Sequence, residues 1–163
     1  MPPSYHVHLA KENMVFSAAH FITFNGHVCE RLHGHNYRVR VEVAGPLDEN
    51  QYVVDFIALR DALQAIVEQL DHYTLLPTNH PLIKVVTKDR EVEVTFDDRR
   101  WVFPRGDCVL LPVINTTAEL LARFIGQSLR AEFEAKTGVR LKQLTVAVDE
   151  NAGQWGVCEL VDE

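Results

Sequence analysis

Two histidines separated by one glycine, His33-Gly34-His35, are the residues of this sequence best suited to bind a metal ion. They open a strand-like run, and because strand side chains alternate between faces, both imidazoles should point to the same side. A third histidine, His20, ends the strand-like run before it. Three neutral imidazoles with one open position are typical of a catalytic zinc site. The spacing therefore predicts a metal site of His20, His33 and His35.

Proton-transfer groups accompany these histidines. Cys29 lies four positions before His33, and a thiol close to a dication titrates below a free thiol, so it could act as a base near neutral pH. Asp71-His72 could relay a proton, since a carboxylate orients the imidazole. Taken alone, however, that pair would be a histidine complementing a helix dipole. Glu150 offers two acceptor oxygens, although a solvated turn carboxylate is the commoner case.

Composition limits the class of protein. The chain has 163 residues, which suits a single domain over residues 1–163, and a net charge of -7 without a basic cluster. Nucleic acid and anionic membranes are therefore poor partners. No apolar run could span a bilayer, and we expect no signal peptide. The cysteines, three in number and scattered, argue against a disulfide framework and for a reducing, cytoplasmic setting.

The elements that must position these groups follow from hydrophobic periodicity. A long strand from residue 6 to 20, kinked near 11–13, precedes a strand from 35 to about 43. Helical spacing predicts a helix from 56 to about 70, capped by Asp55. A second helix begins near Thr116, which with Glu119 fits a capping box, and ends at Gly138. Strands at 141–148 and 154–161 close the chain, joined by a turn at 149–153.

A segment from about residue 80 to 112 separates the two helices. Within it, residues 91–103 alternate as a β-hairpin, with Val92, Val94 and Phe96 on one side, and Cys108 opens a further strand-like run. We expect this hairpin to lie outside the main sheet and to shield a neighbouring subunit. The whole order is ββα, hairpin, αββ, which predicts an α+β fold with an antiparallel sheet.

These motifs, in this order, resemble the 6-pyruvoyltetrahydropterin synthase family, which includes the 6-carboxytetrahydropterin synthases of bacterial queuosine biosynthesis. The resemblance covers nearly the whole chain apart from the segment of residues 80–112. The matching residues are Phe16-Ser-Ala-Ala-His20, Gly26-His-x-Cys29-x-x-Leu-His33-Gly-His35-Asn-Tyr, Val54-Asp55-Phe56, Leu70-Asp71-His72, Thr116-Thr-Ala-Glu119 and Val148-Asp-Glu150.

The resemblance implies the tunnelling fold, a four-stranded antiparallel sheet with two helices on one face. It also implies trimeric barrels that stack into a homohexamer with active sites at subunit interfaces. By the same resemblance His20, His33 and His35 bind Zn²⁺, and Cys29, Asp71 and His72 are catalytic. Glu150 and Thr117 would bind the substrate, although an acid, Asp149, stands beside Glu150 where a non-acidic residue is expected.

The implied activity is a zinc-dependent lyase acting on 7,8-dihydroneopterin triphosphate. The spacing Cys29-x-x-x-His33 resembles the branch that forms 6-carboxy-5,6,7,8-tetrahydropterin, acetaldehyde and triphosphate. The alternatives are the pyruvoyl branch, which eliminates triphosphate and usually has two more residues in this spacing, and a folate-type aldolase branch with glutamate in the cysteine's stead. From another class, the chain could be a zinc-stabilised module that binds a pterin without turnover.

Overall fold

The fold is described from a computed structural model, which defines residue 1 and residues 3–162. Two α-helices lie among short and long strands. In chain order the elements are β1 (Tyr5–Leu9), β2 (Val15–His20), β3 (Thr23–Phe24), β4 (Val28–Cys29), β5 (His33–Gly45), α1 (Phe56–Leu70), β6 (Tyr73–Pro77), β7 (Lys84–Lys88), β8 (Glu91–Phe96), β9 (Arg99–Pro104), a 3₁₀ turn (Arg105–Asp107), β10 (Cys108–Leu111), α2 (Ala118–Thr137), β11 (Gln143–Asn151) and β12 (Gln154–Val161).

The main sheet is organised around β5, which is 13 residues long. Its first half pairs antiparallel with β2 and its second half with β1, while β11 pairs along its other side and β12 follows β11. The strand expected from residue 6 to 20 is thus two strands, broken by a turn in which Met14 N donates to Lys11 O at 3.1 Å. The α+β class is confirmed.

The sheet is larger than the four antiparallel strands that were expected. After α1 the chain enters β6, which pairs parallel to β2, and β10 pairs parallel to β6. The run that begins at Cys108 is therefore a strand of the main sheet. These two short strands extend the edge next to β2, where an unpaired strand would otherwise expose its backbone donors and acceptors.

Capping residues define the start of both helices and the end of α2. Asp55 caps α1 as predicted, with its Oδ1 accepting from Ile57 N at 2.8 Å and from Ala58 N at 3.2 Å. The predicted capping box at Thr116 is wrong, because Thr117 is the N-cap of α2 and Thr116 is buried. The C-terminal prediction is confirmed, since α2 ends at Gly138, whose φ of 73° favours glycine.

The helices pack on one face of the main sheet. Their buried residues form one apolar core with the inward-facing residues of β2, β5 and β11. The start of α2 lies directly on β12, since a Cβ at Gly156 would come within 2.6 Å of the Ala118 carbonyl carbon and of Glu119 N. Within the described residues, no helix is long and apolar enough to cross a membrane.

The hairpin of residues 91–103 is present as β8 and β9, and β7 adds a third strand. Val92 and Val94 are fully buried and Phe96 nearly so, which confirms the predicted alternation. They join a second core with Phe21, the residue after His20. Phe21 also stacks on Trp101 of β9, with ring centroids 4.5 Å apart. The hairpin therefore packs beside His20 in its own chain, a contact that the sequence did not predict.

Candidate active site

The three predicted histidines converge at one end of the main sheet. The register of β2 against β5 sets His20 directly opposite His33 and Ala18 opposite His35. Because all three imidazoles project from the core-facing side, their ring centroids are only 4.8–5.2 Å apart. One ligand atom from each ring, together with a carboxylate oxygen of Glu150, lies in a cluster with no separation above 4.8 Å.

Backbone carbonyls orient two of these rings. His20 Nδ1 lies 2.9 Å from the carbonyl oxygen of Thr116, and His33 Nδ1 lies 2.7 Å from that of Arg31. Since a carbonyl oxygen only accepts, each Nδ1 carries the hydrogen and each Nε2 faces the cluster. His20 is fully buried, and burial lowers its pKa to about 4, so this ring is neutral near pH 7 and presents a lone pair.

The donor set fits a divalent metal ion. The Nε2 atoms of His20 and His35 are buried, and among the described residues neither has a hydrogen-bond partner. Glu150 Oε1 lies 3.2 Å from His20 Nε2 and 3.3 Å from His35 Nε2. An imidazole lone pair facing a carboxylate oxygen is repulsive unless a cation lies between them. These four side chains could therefore hold a metal ion.

Glu150 owes its position to a strand that is longer than expected. A turn was predicted from Asp149, but β11 continues to Asn151, with a register shift against β12 between Asp149 and Asn151 where Glu150 lies. Asp149 is 2% exposed and accepts from Gly153 N at 3.1 Å and Gln154 N at 3.0 Å. The two adjacent acids therefore have different roles, since Asp149 holds the turn and Glu150 faces the histidines.

Cys29 ends β4 and is partly buried near the hairpin. Its carbonyl oxygen accepts from Arg99 Nη1 at 2.8 Å, and the carbonyl oxygen of Glu30 accepts from Arg99 Nη2 at 3.1 Å. Burial raises the pKa of the Cys29 thiol, and the positive charge of Arg99 opposes that rise. The protein groups alone thus favour the thiol, and a thiolate here requires a further positive charge nearby.

Asp71 and His72 form the predicted pair, with Asp71 Oδ2 2.9 Å from His72 Nδ1. The backbone N–H of Ser17 donates to Asp71 Oδ1 at 2.8 Å, and this bond lowers the pKa of the carboxyl. The His72 side chain is 81% exposed and borders a cavity of about 440 Å³ that also reaches His35. Cys29 is not among the residues that line this cavity.

The remaining predicted residue, Thr117, lies at the start of α2. Its hydroxyl oxygen accepts from Leu120 N at 3.4 Å, which makes it the helix cap. Sequence reasoning missed three contributors to the site: the Thr116 carbonyl, Glu30 and Arg99. Glu30 Oε2 accepts from Ile22 N at 3.1 Å and lies 3.8 Å from His33 Nε2. The position of Glu30 directly after Cys29 could have indicated that Glu30 belongs to the site, whereas nothing in the sequence pointed to Arg99.

The fold and the site define an α+β protein with a three-histidine cluster, open to a metal ion, at the end of an antiparallel sheet. A model of the 6-pyruvoyl tetrahydropterin synthase family matches residues 9–160. The chain therefore belongs to the 6-pyruvoyl tetrahydropterin synthase family, and it is a lyase of that family.

Individual relatives agree with this placement. A Methanocaldococcus jannaschii protein assigned as a 6-carboxy-5,6,7,8-tetrahydropterin synthase is 30% identical, over 88% of this chain and 87% of its own length. The crystal structure of 6-pyruvoyl tetrahydropterin synthase from Plasmodium vivax is 26% identical and superposes with a TM-score of 0.90, covering 99% of this chain and 100% of that one. A structure of a Plasmodium vivax variant is also 26% identical, with a TM-score of 0.90, and covers 99% of this chain and 100% of that one. In this variant a glutamate described as catalytic is replaced by cysteine.

Proposed function

We propose that this chain is a zinc-dependent lyase that converts 7,8-dihydroneopterin triphosphate and water to 6-carboxy-5,6,7,8-tetrahydropterin, acetaldehyde and triphosphate. The observation that supports it most is the convergence of His20, His33 and His35, with Cys29 held on the segment that leads into two of them. Three imidazoles suit zinc, and a bound zinc ion would act as a Lewis acid toward the side-chain oxygens of the substrate.

The chain's own residues would bind the substrate and move its protons. Cys29, as a thiolate, would accept a proton from the side chain of the substrate. His72, held by the Asp71 carboxylate, would return a proton to a neighbouring atom of that side chain. Glu150 would accept the amino and ring N–H donors of the pterin with its two oxygens, and Thr117 would contribute a polar contact at the start of α2.

The carboxy branch is favoured by the spacing of Cys29 to His33 and by the name of the Methanocaldococcus jannaschii relative. In the pyruvoyl branch, elimination of triphosphate would leave a product that keeps all three side-chain carbons as a diketone. Formation of the carboxy product would place the protein in queuosine biosynthesis. We also propose that it acts in the cytoplasm.

A homohexamer of stacked trimers would unite Cys29 of one subunit with Asp71–His72 of another. In a single chain, the cavity bordered by His72 does not include Cys29 among its lining residues, which supports a composite site. Mixing a Cys29→Ala variant with a His72→Ala variant should then restore part of the activity. A monomer at micromolar concentration in solution would rule out this assembly.

The reaction is tested by incubating the zinc-loaded protein with 7,8-dihydroneopterin triphosphate and identifying the products by mass spectrometry. We expect the carboxylated pterin together with acetaldehyde. Cys29→Ala should lose about 10²–10⁴-fold in rate while it retains zinc, because a general base contributes about that much. Turnover at the wild-type rate in Cys29→Ala would contradict the assignment of the base.

Glu30 favours a second candidate, the folate-type aldolase branch, in which a glutamate replaces the cysteine as the base. Its carboxylate oxygen Oε2 lies 3.8 Å from Nε2 of His33, one of the three clustered histidines. Glu30→Gln separates the two candidates: if Glu30 is the base, this variant loses turnover and Cys29→Ala does not. A non-catalytic pterin-binding module would give no product with any variant.

A further inference from the structure

The distances around Glu150 are those between ligands of one metal ion. In a tetrahedral zinc site with bonds of about 2.0–2.1 Å, neighbouring ligand atoms lie about 3.3 Å apart. Glu150 Oε1 is 3.2 Å from His20 Nε2 and 3.3 Å from His35 Nε2. The carboxylate oxygen therefore lies at the separation expected between ligands of one metal ion from two of the three imidazoles, and a ring nitrogen of His33 lies within 4.8 Å of the same atoms.

The chemistry of the neighbouring atoms agrees with coordination rather than with hydrogen bonding. His20 Nδ1 lies 2.9 Å from the carbonyl oxygen of Thr116. Among the described residues the buried Nε2 atoms of His20 and His35 make no hydrogen bond, although Glu150 Oε1 is close to both. A cation between the two nitrogens and the carboxylate oxygen would give these atoms a common partner. A metal ion bound by His20, His35 and Glu150 satisfies all of these atoms at once.

The Glu150 side chain is also free to move away from the histidines. It is 28% exposed, and among the described residues its carboxylate forms no ion pair with a lysine or arginine. The neighbouring Asp149 is instead fixed by the backbone N–H groups of Gly153 and Gln154. A cavity of about 480 Å³, within the range of small-molecule sites of about 300–1,000 Å³, opens beside Glu150 and is lined also by Gly34 and Asn36.

We infer that Glu150 is the fourth metal ligand of the resting protein and that the pterin displaces it. The donor N–H groups of the ring would draw the carboxylate away from the metal and vacate the position that the substrate side chain needs. The site would thus be closed without substrate and open with it. This inference rests on the proposed function only for the identity of the displacing molecule.

Cobalt(II) is the probe, because its visible absorption bands report coordination geometry. The control variant is Glu132→Gln, which changes a partly exposed acid on α2 that pairs with Lys136. Metal-free wild type, Glu150→Gln and this control are each loaded with Co²⁺ and then mixed with 7,8-dihydroneopterin, which lacks the leaving group. In parallel, Zn²⁺ affinity is measured by competition with a chromogenic chelator. Circular dichroism verifies that each variant is folded.

We expect Glu150→Gln to change the cobalt spectrum and to lower Zn²⁺ affinity about tenfold or more, as lost metal-site partners typically do, while the control matches wild type. Dihydroneopterin should shift the wild-type spectrum and leave that of Glu150→Gln unchanged. Wild-type affinity and spectrum in Glu150→Gln would overturn the ligand assignment. A wild-type spectrum that stays the same while calorimetry shows dihydroneopterin binding would overturn the displacement. Neither readout needs turnover, so a missing product would refute the proposed reaction and not this ligand.

Discussion

The guanidinium of Arg99 donates to the carbonyl oxygen of Cys29 at 2.8 Å, across 70 positions of the sequence. The same group donates to the carbonyl oxygen of Glu30 at 3.1 Å and lies 4.6 Å from the ring centroid of Trp101. The hairpin thereby holds the segment that leads from the thiol to His33. Because a hydrogen-bonded fork fixes both position and orientation, we expect Arg99 to place the Cys29 thiol without contacting the substrate.

Arg99→Ala should lower kcat by about tenfold or more, since a misplacement of about 1 Å can cost about 10²-fold in rate. Arg99→Lys, with one ammonium instead of a fork, should recover part of the loss. Zinc content should stay at the wild-type level in both variants. Arg100→Ala, on the same strand and paired with Glu93 on the exposed side, is the control. Equal kcat in Arg99→Ala and Arg100→Ala would contradict a positioning role for Arg99.

Metal binding should stabilise the fold in proportion to its affinity. At a free Zn²⁺ concentration about 100 times Kd, binding adds about 2.7 kcal/mol to the free energy of unfolding. Wild type should therefore melt at a higher temperature with zinc than with a chelator, and His33→Ala should lose most of this difference. His27→Ala, at an exposed loop position, should keep it. The prediction fails if His33→Ala and His27→Ala gain equally from zinc in differential scanning fluorimetry.

The contact between β12 and α2 should tolerate no side chain at Gly156. An added Cβ would meet backbone atoms of Ala118 and Glu119 at 2.6 Å, so the helix or the strand must shift. We expect Gly156→Ala to lower the free energy of unfolding by about 1–3 kcal/mol, as overpacking typically does. Gly106→Ala is the control, because its Cβ would have no heavy atom within 4 Å. Equal urea midpoints for the two variants would show that α2 does not rest on β12 as described.

Stability should depend on pH through Asp71. The N–H of Ser17, and secondarily His72, lower the pKa of this carboxyl in the fold. The stabilisation is therefore fully present above the unfolded pKa of about 3.9 and is lost as the pH falls through the lower folded value. Urea midpoints should place wild type above Asp71→Asn at pH 6, with a smaller difference at pH 3. A difference that stays constant between these pH values would contradict the linkage.

The sequence determined the elements whose signals are local. Alternation placed His33 and His35 on one face, helical spacing with Asp55 defined α1, and the glycine at 138 marked the end of α2. All three cysteines are free, in agreement with their scattered spacing. These features depend on contacts a few residues apart, so backbone geometry and side-chain period suffice to predict them.

The tertiary structure decided what depends on contacts between distant segments. The extension of β11 to Asn151 depends on pairing with β12, and Glu150, in this extension, lies 3.2 Å from His20 Nε2. Thr116 is buried, and its carbonyl oxygen accepts from His20 Nδ1, 96 positions away. Arg99 reaches Cys29 only after the hairpin packs on Phe21. No local pattern encodes such neighbours, because strand register and packing are selected by the burial of the whole core.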